Sequence, residues 1–488
     1  MVPEARNAYE MLDVQPEASA RYDELYGPDG KPRPHYEALA ETLTALKRDE
    51  VLGRVRAINT ALLQRGVTFT VYADQAGTER VFPFDVVPRI LTALEWERVE
   101  AGIAQRVRAL NAFLYDVYHG ERILLEKKVP RDLVYSSKGF NREMIDLDVP
   151  RDIYIHISGI DLIREPSGAF LVLEDNCRTP SGISYVLENR DALKRGLPDL
   201  FANYAVHPVD DYPSRLLDVL RYTAPRGALQ PAVVVLTPGI YNSAYFEHTL
   251  LARRMGVELV EARDLIVVDN FVFLKTTSGL ERVDVIYRRI DDDYLDPLYF
   301  LAESSLGVTG LMNVYRAGNV TLANAIGTGV ADDKAIYRFV PEMIRFYLAE
   351  EPLLENVPTF DCTDDVQRRH VLDNLDTLVV KNTNASGGYG MLMGPFASAE
   401  ERESFRALIE ANPRDFIAQP VIELSSSPTL IDGELAPRRV DLRPFALYGR
   451  TVDVPPAALT RVALREGSLV VNSSQGGGSK DTWVLQGE

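Results

Sequence analysis

The sequence predicts an α/β fold in which a mostly helical N-terminal region precedes three mixed lobes, one of them a doubly wound α/β unit. Three observations predict it. Apolar residues recur at helical spacing through Leu39, Leu43, Leu46, Val51, Val55, Ile58 and Leu62, and again from Val87 to Val117. Further on, a strand at 232–236, a helix at 245–255 and a strand at 258–260 follow one another, with Pro238-Gly239 where the first strand ends. Alternating, turn-bounded runs around 154–176 and from 377 onward read as β-strands.

In chain order, residues 1–150 form the mostly helical region, with a Gly- and Pro-rich loop at 22–35. Residues 151–225 hold a β-hairpin and the helix after it. Residues 226–330 form the α/β unit, which continues with a hairpin at 265–275 and a strand at 284–287. Ligands of such units bind at the carboxyl ends of their strands. Residues 331–488 complete the chain, and no repeat or low-complexity segment interrupts it.

The hairpin makes the strongest chemical statement. Asp161 follows a short alternating run, Pro166-Ser167-Gly168 supplies a turn, and Phe170 to Leu173 begin the return strand. Glu174 and Asn176 are two apart and point to one face, while Asp175 points to the other. Asp161, Glu174 and Asn176 thus offer two carboxylates and an amide oxygen, a hard-oxygen set suited to Mg²⁺.

Two lysines follow far downstream. Lys334 opens a helix running through Ile336, Phe339, Ile344 and Tyr347, with Asp332 or Asp333 as its N-cap. Residues 377–381 form an apolar strand that delivers Lys381 into a loop containing Ser386, Gly387, Gly388, Tyr389 and Gly390. An ammonium beside side-chain-free backbone suits phosphate oxygens. Taken alone, the glycine run reads equally as a hairpin turn. Later strands place Arg439, Asp441 and Arg443 on one face, then present Arg461 and Asn472.

An Asp, a turn, a buried strand ending Glu174-x-Asn176 and then Pro180-x-Gly182 resemble the metal-binding end of ATP-grasp ligases. In an ordinary ATP-grasp chain that end comes after the nucleotide lysines; here it comes before them. The chain therefore resembles the circularly permuted ATP-grasp family, of the glutathionylspermidine-synthase-like, type 2 kind. Tyr22-Asp23-Glu24, Arg33-Pro34-His35-Tyr36, Asn242 to His248, Arg288 to Asp293, Gly327-Thr328-Gly329 and Ser473 to Gly478 extend the resemblance over nearly the whole length.

The resemblance implies ATP and Mg²⁺ as cofactors. It makes 415–424 the hinge over adenine, with Gln419 and the backbone around Val421 facing the base edge and Glu423 reaching the ribose. Pro420 has no N–H to donate there. Arg461, with Arg443, would stabilise the transferring phosphoryl group, and Asn472 would stand beside the metal. In the α/β unit, Asn242, Glu247, His248, Arg288, Arg289 and Asp291 are the polar residues expected near the second substrate, although Arg288-Arg289 with Asp291 to Asp293 reads also as an internal ion-pair cluster.

The activity implied is an ATP-dependent carboxylate–amine ligation through an acyl phosphate, releasing ADP and phosphate. Its partners would be small-molecule or peptide carboxylates and amines. A small-molecule kinase and a non-catalytic ATP-binding scaffold are the alternatives.

Composition narrows the remaining classes. The net charge of −18, with no basic stripe, argues against nucleic acid or anionic lipid as partners. No apolar run approaches the about 18 residues a membrane helix needs, and the charged first ten residues show no secretory signal. With Cys177 and Cys362 as the two cysteines, no disulfide framework is indicated and a cytoplasmic location is expected.

Overall fold

The computed structural model describes residues 21–71, 78–225, 227–384, 390–471 and 477–487. Its fold is mixed α/β. The largest sheet has nine strands among the described residues. In spatial order they are Glu355–Asn356, Phe170–Asn176, Ile157–Arg164, Glu434–Tyr448, Ala458–Val462, Gly478–Val484 and Phe84–Leu91, and both Ser426–Ile431 and Val452–Asp453 pair with the long Glu434–Tyr448 strand. Segments from opposite ends of the sequence therefore lie side by side.

One difference from the sequence reading concerns the N-terminal region. Helical periodicity from Val87 onward gives way to the strand Phe84–Leu91, and the helix proper runs Ala93–Tyr118. β-Branched Val86, Val87 and Ile90 favour extended backbone, and Pro88, which cannot donate to a ladder, is tolerated because this strand is at the sheet edge. Thr92 marks the change of element. Its hydroxyl accepts from the Glu95 N–H while the Glu95 carboxylate accepts from the Thr92 N–H, a capping box. The helix then buries Leu110, Phe113 and Leu114 in one cluster with Tyr154 and with Ile160 and Leu162 of the hairpin.

A second difference follows Lys334. The continuous helix expected there is interrupted after Lys334–Tyr337 and resumes as Val340–Met343, which runs directly into a π-helical turn, Ile344–Leu348. Pro341 explains the break, since it has no N–H for the ladder and its ring crowds the preceding turn. Asp333 is the cap, accepting from the Ala335 N–H at 2.9 Å.

A smaller antiparallel sheet, in the order Phe360–Asp361, Phe416–Pro420, Leu378–Asn382 and Met391–Met393, faces the large one. The α/β unit has a four-stranded parallel sheet ordered Thr321–Ala323, Val285–Arg288, Val233–Leu236 and Glu258–Val260. Its helix Tyr245–Met255 stands where the sequence reading puts it. Among the described residues, no helix is long and apolar enough to cross a membrane.

The segment around Tyr22 closes on the large sheet. The Glu24 N–H donates to the Ser426 carbonyl at 2.8 Å, and the Ser426 N–H to the Tyr22 carbonyl at 2.9 Å. Glu24 itself is fully buried between Arg89, at 2.6 Å, and Arg164, at 2.7 Å. Arg164 ends the strand that carries Asp161.

Candidate active site

Strand pairing brings the hairpin acids together. Asp161 stands opposite Glu174, and Asn176 opposite Gly159. The ladder shifts between Asp161 and Leu162, so Leu173 is an extra residue on the return strand. Asp175 lies on the other face, where the buried Arg106 grips both its oxygens at 2.6 and 2.7 Å. Gly159 sits at a close approach: a Cβ there would lie 3.3 Å from both the Arg443 Cδ and the Pro180 Cβ, so those neighbours would have to give by a few tenths of an ångström. The arginine stem thus crosses the strand above Asp161.

Two guanidinium groups converge on Asp161. Arg443 donates from Nε at 2.5 Å and from Nη2 at 2.8 Å, and the Arg461 Nη2 donates at 2.7 Å. Arg461 also straddles Asp441, with Nε 2.9 and 3.0 Å from its two oxygens. Burial alone would raise the Asp161 carboxyl, but Arg443 and Arg461 outweigh it and hold the group down at about 2. Burial raises Asp441 despite Arg461. Across the hairpin, the Lys334 Nζ lies 3.1 Å from Glu174. Lys381, on the opposing sheet, is pushed down to about 8 by burial, with Lys334 and Arg461 acting in the same direction and Glu174 and Asp161 against it.

These groups occupy one end of a cleft between the two sheets, whose empty space, its open mouth included, is about 960 Å³. Asp161, Glu174, Lys334, Lys381, Asp441 and Arg461 line the polar end. Leu173, Val357, Met391, Met393, Ile422 and Leu424 line the apolar remainder. With Arg443, four cations stand against three carboxylates, so the polar end carries one excess positive charge. Its shape and charge suit a ligand with a flat apolar head and a polyanionic tail.

The other site residues predicted from sequence fall as follows. Gln419 and Val421 line the cleft, Gln419 with its amide bonded to Lys381 and to Thr359. Glu423 is turned to Arg439, 3.0 Å away, and does not line the cleft. Gly390 has a left-handed backbone at φ +65°. Ser386, Gly387, Gly388, Tyr389 and Asn472 lie outside the described residues.

The α/β residues stand one layer behind. Glu247 is buried and accepts from the Gly182 N–H at 2.7 Å and the Ser184 N–H at 3.1 Å, capping the helix Ile183–Gly196. Arg289 bonds Glu247 at 3.1 Å and the Pro180 carbonyl at 2.7 Å. Arg288 is spent on the carbonyls of Asn324, Ile290 and Ala325 and on Asp292, 2.7 Å away. His248 bonds Thr237 at 2.9 Å, and burial holds its ring far below the usual histidine range. Asn242 accepts from the Ala244 N–H in its own turn, and Asp291 is exposed. Glu247 and Arg289 therefore brace the 178–182 loop that leaves Asn176, and Arg443 holds the same loop through the Ser181 carbonyl at 3.3 Å.

The sequence reading missed Asp441 as the second carboxylate on Arg461, and the thioether wall of Met391 and Met393. The signal for the wall is their spacing of two on a strand paired with that of Lys381.

The donor chemistry fits a hard divalent cation in part. The Glu174 carboxylate faces the cleft, whereas Asn176 does not line it and its amide donates to the Gly159 carbonyl at 3.1 Å. Asp161 would have to release an arginine bond to join Glu174. Among the described residues, no three His, Cys, Asp or Glu side chains gather as a metal-binding group.

A family model described as circularly permuted ATP-grasp type 2 matches residues 88–463. An uncharacterized protein of Synechocystis is 55% identical over 96% of this chain and 97% of its own length. A Frankia casuarinae protein provisionally named glutamate–cysteine ligase 2-2 is 45% identical over 95% of this chain, which spans 53% of that protein. Among solved structures, a glutathione synthetase-like effector from Globodera pallida in its apo form has a similar fold, with a TM-score of 0.59 over 90% of this chain and 98% of its own, at 9% identity.

Proposed function

The chain belongs to the circularly permuted ATP-grasp type 2 family, and from that premise we propose that it is an ATP-dependent ligase joining a carboxylate to an amine. The observation that carries the reading is the two-ended cleft, with Lys334, Lys381, Arg443 and Arg461 gathered around Asp161 and Glu174 at one end and an apolar wall at the other.

In this reading the apolar end takes adenine, and Lys334 and Lys381 offset phosphate charge. Glu174 and Asn176, with an oxygen of Asp161, would hold Mg²⁺, which when bound supplies charge neutralisation on the phosphates. The substrate carboxylate attacks the γ-phosphorus, the bond to the β-phosphate oxygen breaks, and ADP leaves. Arg461 and Arg443 offset the charge that develops on the transferring group, at the cost of their bonds to Asp161. The amine then attacks the acyl carbon, phosphate departs with the bonding pair, and the amine proton goes to solvent.

The Frankia name gives limited support, because the half of that protein outside the match is a second place where the named activity can reside. The test is ATP turnover with hydroxylamine over a panel of carboxylates, with Glu174→Ala as control. A hydroxamate formed together with ADP and free phosphate supports the ligase. Phosphate appearing on a hydroxyl compound, with no hydroxamate from any carboxylate, makes the protein a kinase instead.

A further inference from the structure

We propose that Gln419 is a positioning residue for Lys381 and does not read the nucleotide base. This rests on the nucleotide-binding reading of the cleft, though not on ligase chemistry.

Gln419 and Lys381 belong to neighbouring antiparallel strands. Gln419 pairs with Val379 and Ile417 with Lys381, so the two side chains are diagonal neighbours on one face. The Lys381 Nζ lies 2.7 Å from the Gln419 Oε1, the Gln419 Nε2 lies 2.9 Å from the Thr359 Oγ1, and the Thr359 hydroxyl lies 2.9 Å from the Val357 carbonyl. Chemistry fixes the direction of every link. An ammonium only donates, so the amide must turn its oxygen toward Lys381 and its NH₂ toward Thr359, whose hydroxyl then donates to the carbonyl. The relay ends on the backbone of residue 357, a fixed point.

Gln419 is 2% exposed, so its amide has no second orientation available without leaving Lys381 facing an NH₂ group. These bonds take one of the amide's two N–H groups and one of its two lone pairs, and at 2% exposure the remainder presents almost no surface to adenine. Base discrimination then falls to the backbone at Val421 and Ile422 and to the apolar wall. What Gln419 controls is where the half-buried ammonium points, and that acts on phosphates whatever base they carry.

The experiment compares binding of ATP and of inorganic tripolyphosphate, both with Mg²⁺, by calorimetry. The proteins are the full-length wild type, Gln419→Met, Thr359→Val, Lys381→Met and the Gln419→Met/Lys381→Met double variant, with thermal melts as a fold check. Gln419→Met should weaken both ligands by the same factor, roughly tenfold, the worth of one charge-assisted hydrogen bond. Thr359→Val, at a residue that does not line the cleft, should act in the same direction and less strongly. In the Lys381→Met background the Gln419 substitution should add almost nothing. Weaker ATP with unchanged tripolyphosphate would overturn the proposal and return Gln419 to the base, and additive losses or no loss would also overturn it. If the wild type bound neither ligand, the nucleotide reading of the cleft would fail first.

Discussion

Replacing Glu24 with Gln tests how a residue remote from the cleft steadies the strand that carries Asp161. The Glu24 carboxylate is fully buried between Arg89 and Arg164, 2.6 and 2.7 Å away. Burial works to raise it, but the two guanidinium groups prevail and lower it from 4.5 to about 2. A difference of that size corresponds to about 3 kcal/mol of folding stability at neutral pH. Breaking a buried ion pair from one side costs about 3–5 kcal/mol, which agrees. Because the folded-state value is depressed, the contribution is fully present above the unfolded value and is lost as pH falls from about 4.5 toward 2. Urea unfolding followed by tryptophan fluorescence should therefore separate wild type from Glu24→Gln by about 3 kcal/mol at pH 7, and by less than half of that near pH 3. A gap that is absent at pH 7, or that does not shrink on acidification, would refute the argument.

Other expectations concern the cleft. Glu174→Ala, which removes a part-exposed carboxylate whose partner is Lys334, should leave the melting temperature nearly unchanged and cut ATP turnover by about 100-fold or more. Arg461→Met should cost about 3–5 kcal/mol in denaturant unfolding, because Asp441 is left buried and uncompensated. Adding Asp441→Asn should recover most of that stability without recovering turnover, and a double variant as unstable as the single one would show that Asp441 is not the cause. Since Lys381 is held at about 8, it loses its charge as pH rises through that value, so tripolyphosphate affinity should fall above about pH 8. Lys381→Arg should abolish that pH dependence, and an identical profile for both proteins would assign it to another group.

What could be read locally in the sequence is what depends on backbone period. Strand alternation separates Glu174 and Asn176 from Asp175, and Arg106 on the far face meets the latter. The strand ending in Lys381 and the helix Tyr245–Met255 are legible for the same reason. Capping chemistry is also legible at Thr92 and Glu95, and it separates the strand Phe84–Leu91 from the helix after it. Partnership across the sheet is of another kind. Arg443 and Arg461 reach Asp161 from 282 and 300 residues away, and only the spatial order of strands makes them neighbours. Local patterning carries no information about that order.

The same limit explains why polar residues of the α/β unit read as substrate contacts. Glu247, Arg288 and Arg289 have the chemistry of ligand binding, and the sequence does not show whether such groups meet a ligand or one another. Each is at most 5% exposed, and their bonds go to the Pro180 carbonyl, the Gly182 N–H and neighbouring backbone. A charged group so enclosed is tolerated because it is paired and hydrogen-bonded, although the Arg289 Nε has no partner among the described residues. What Glu247 and Arg289 do offer is rigidity to the 178–182 loop, held from behind by Arg289 and from the cleft side by Arg443. Asn176 itself is placed by the strand ladder, opposite the Gly159 that its amide bonds, and the braced loop fixes where the chain goes next.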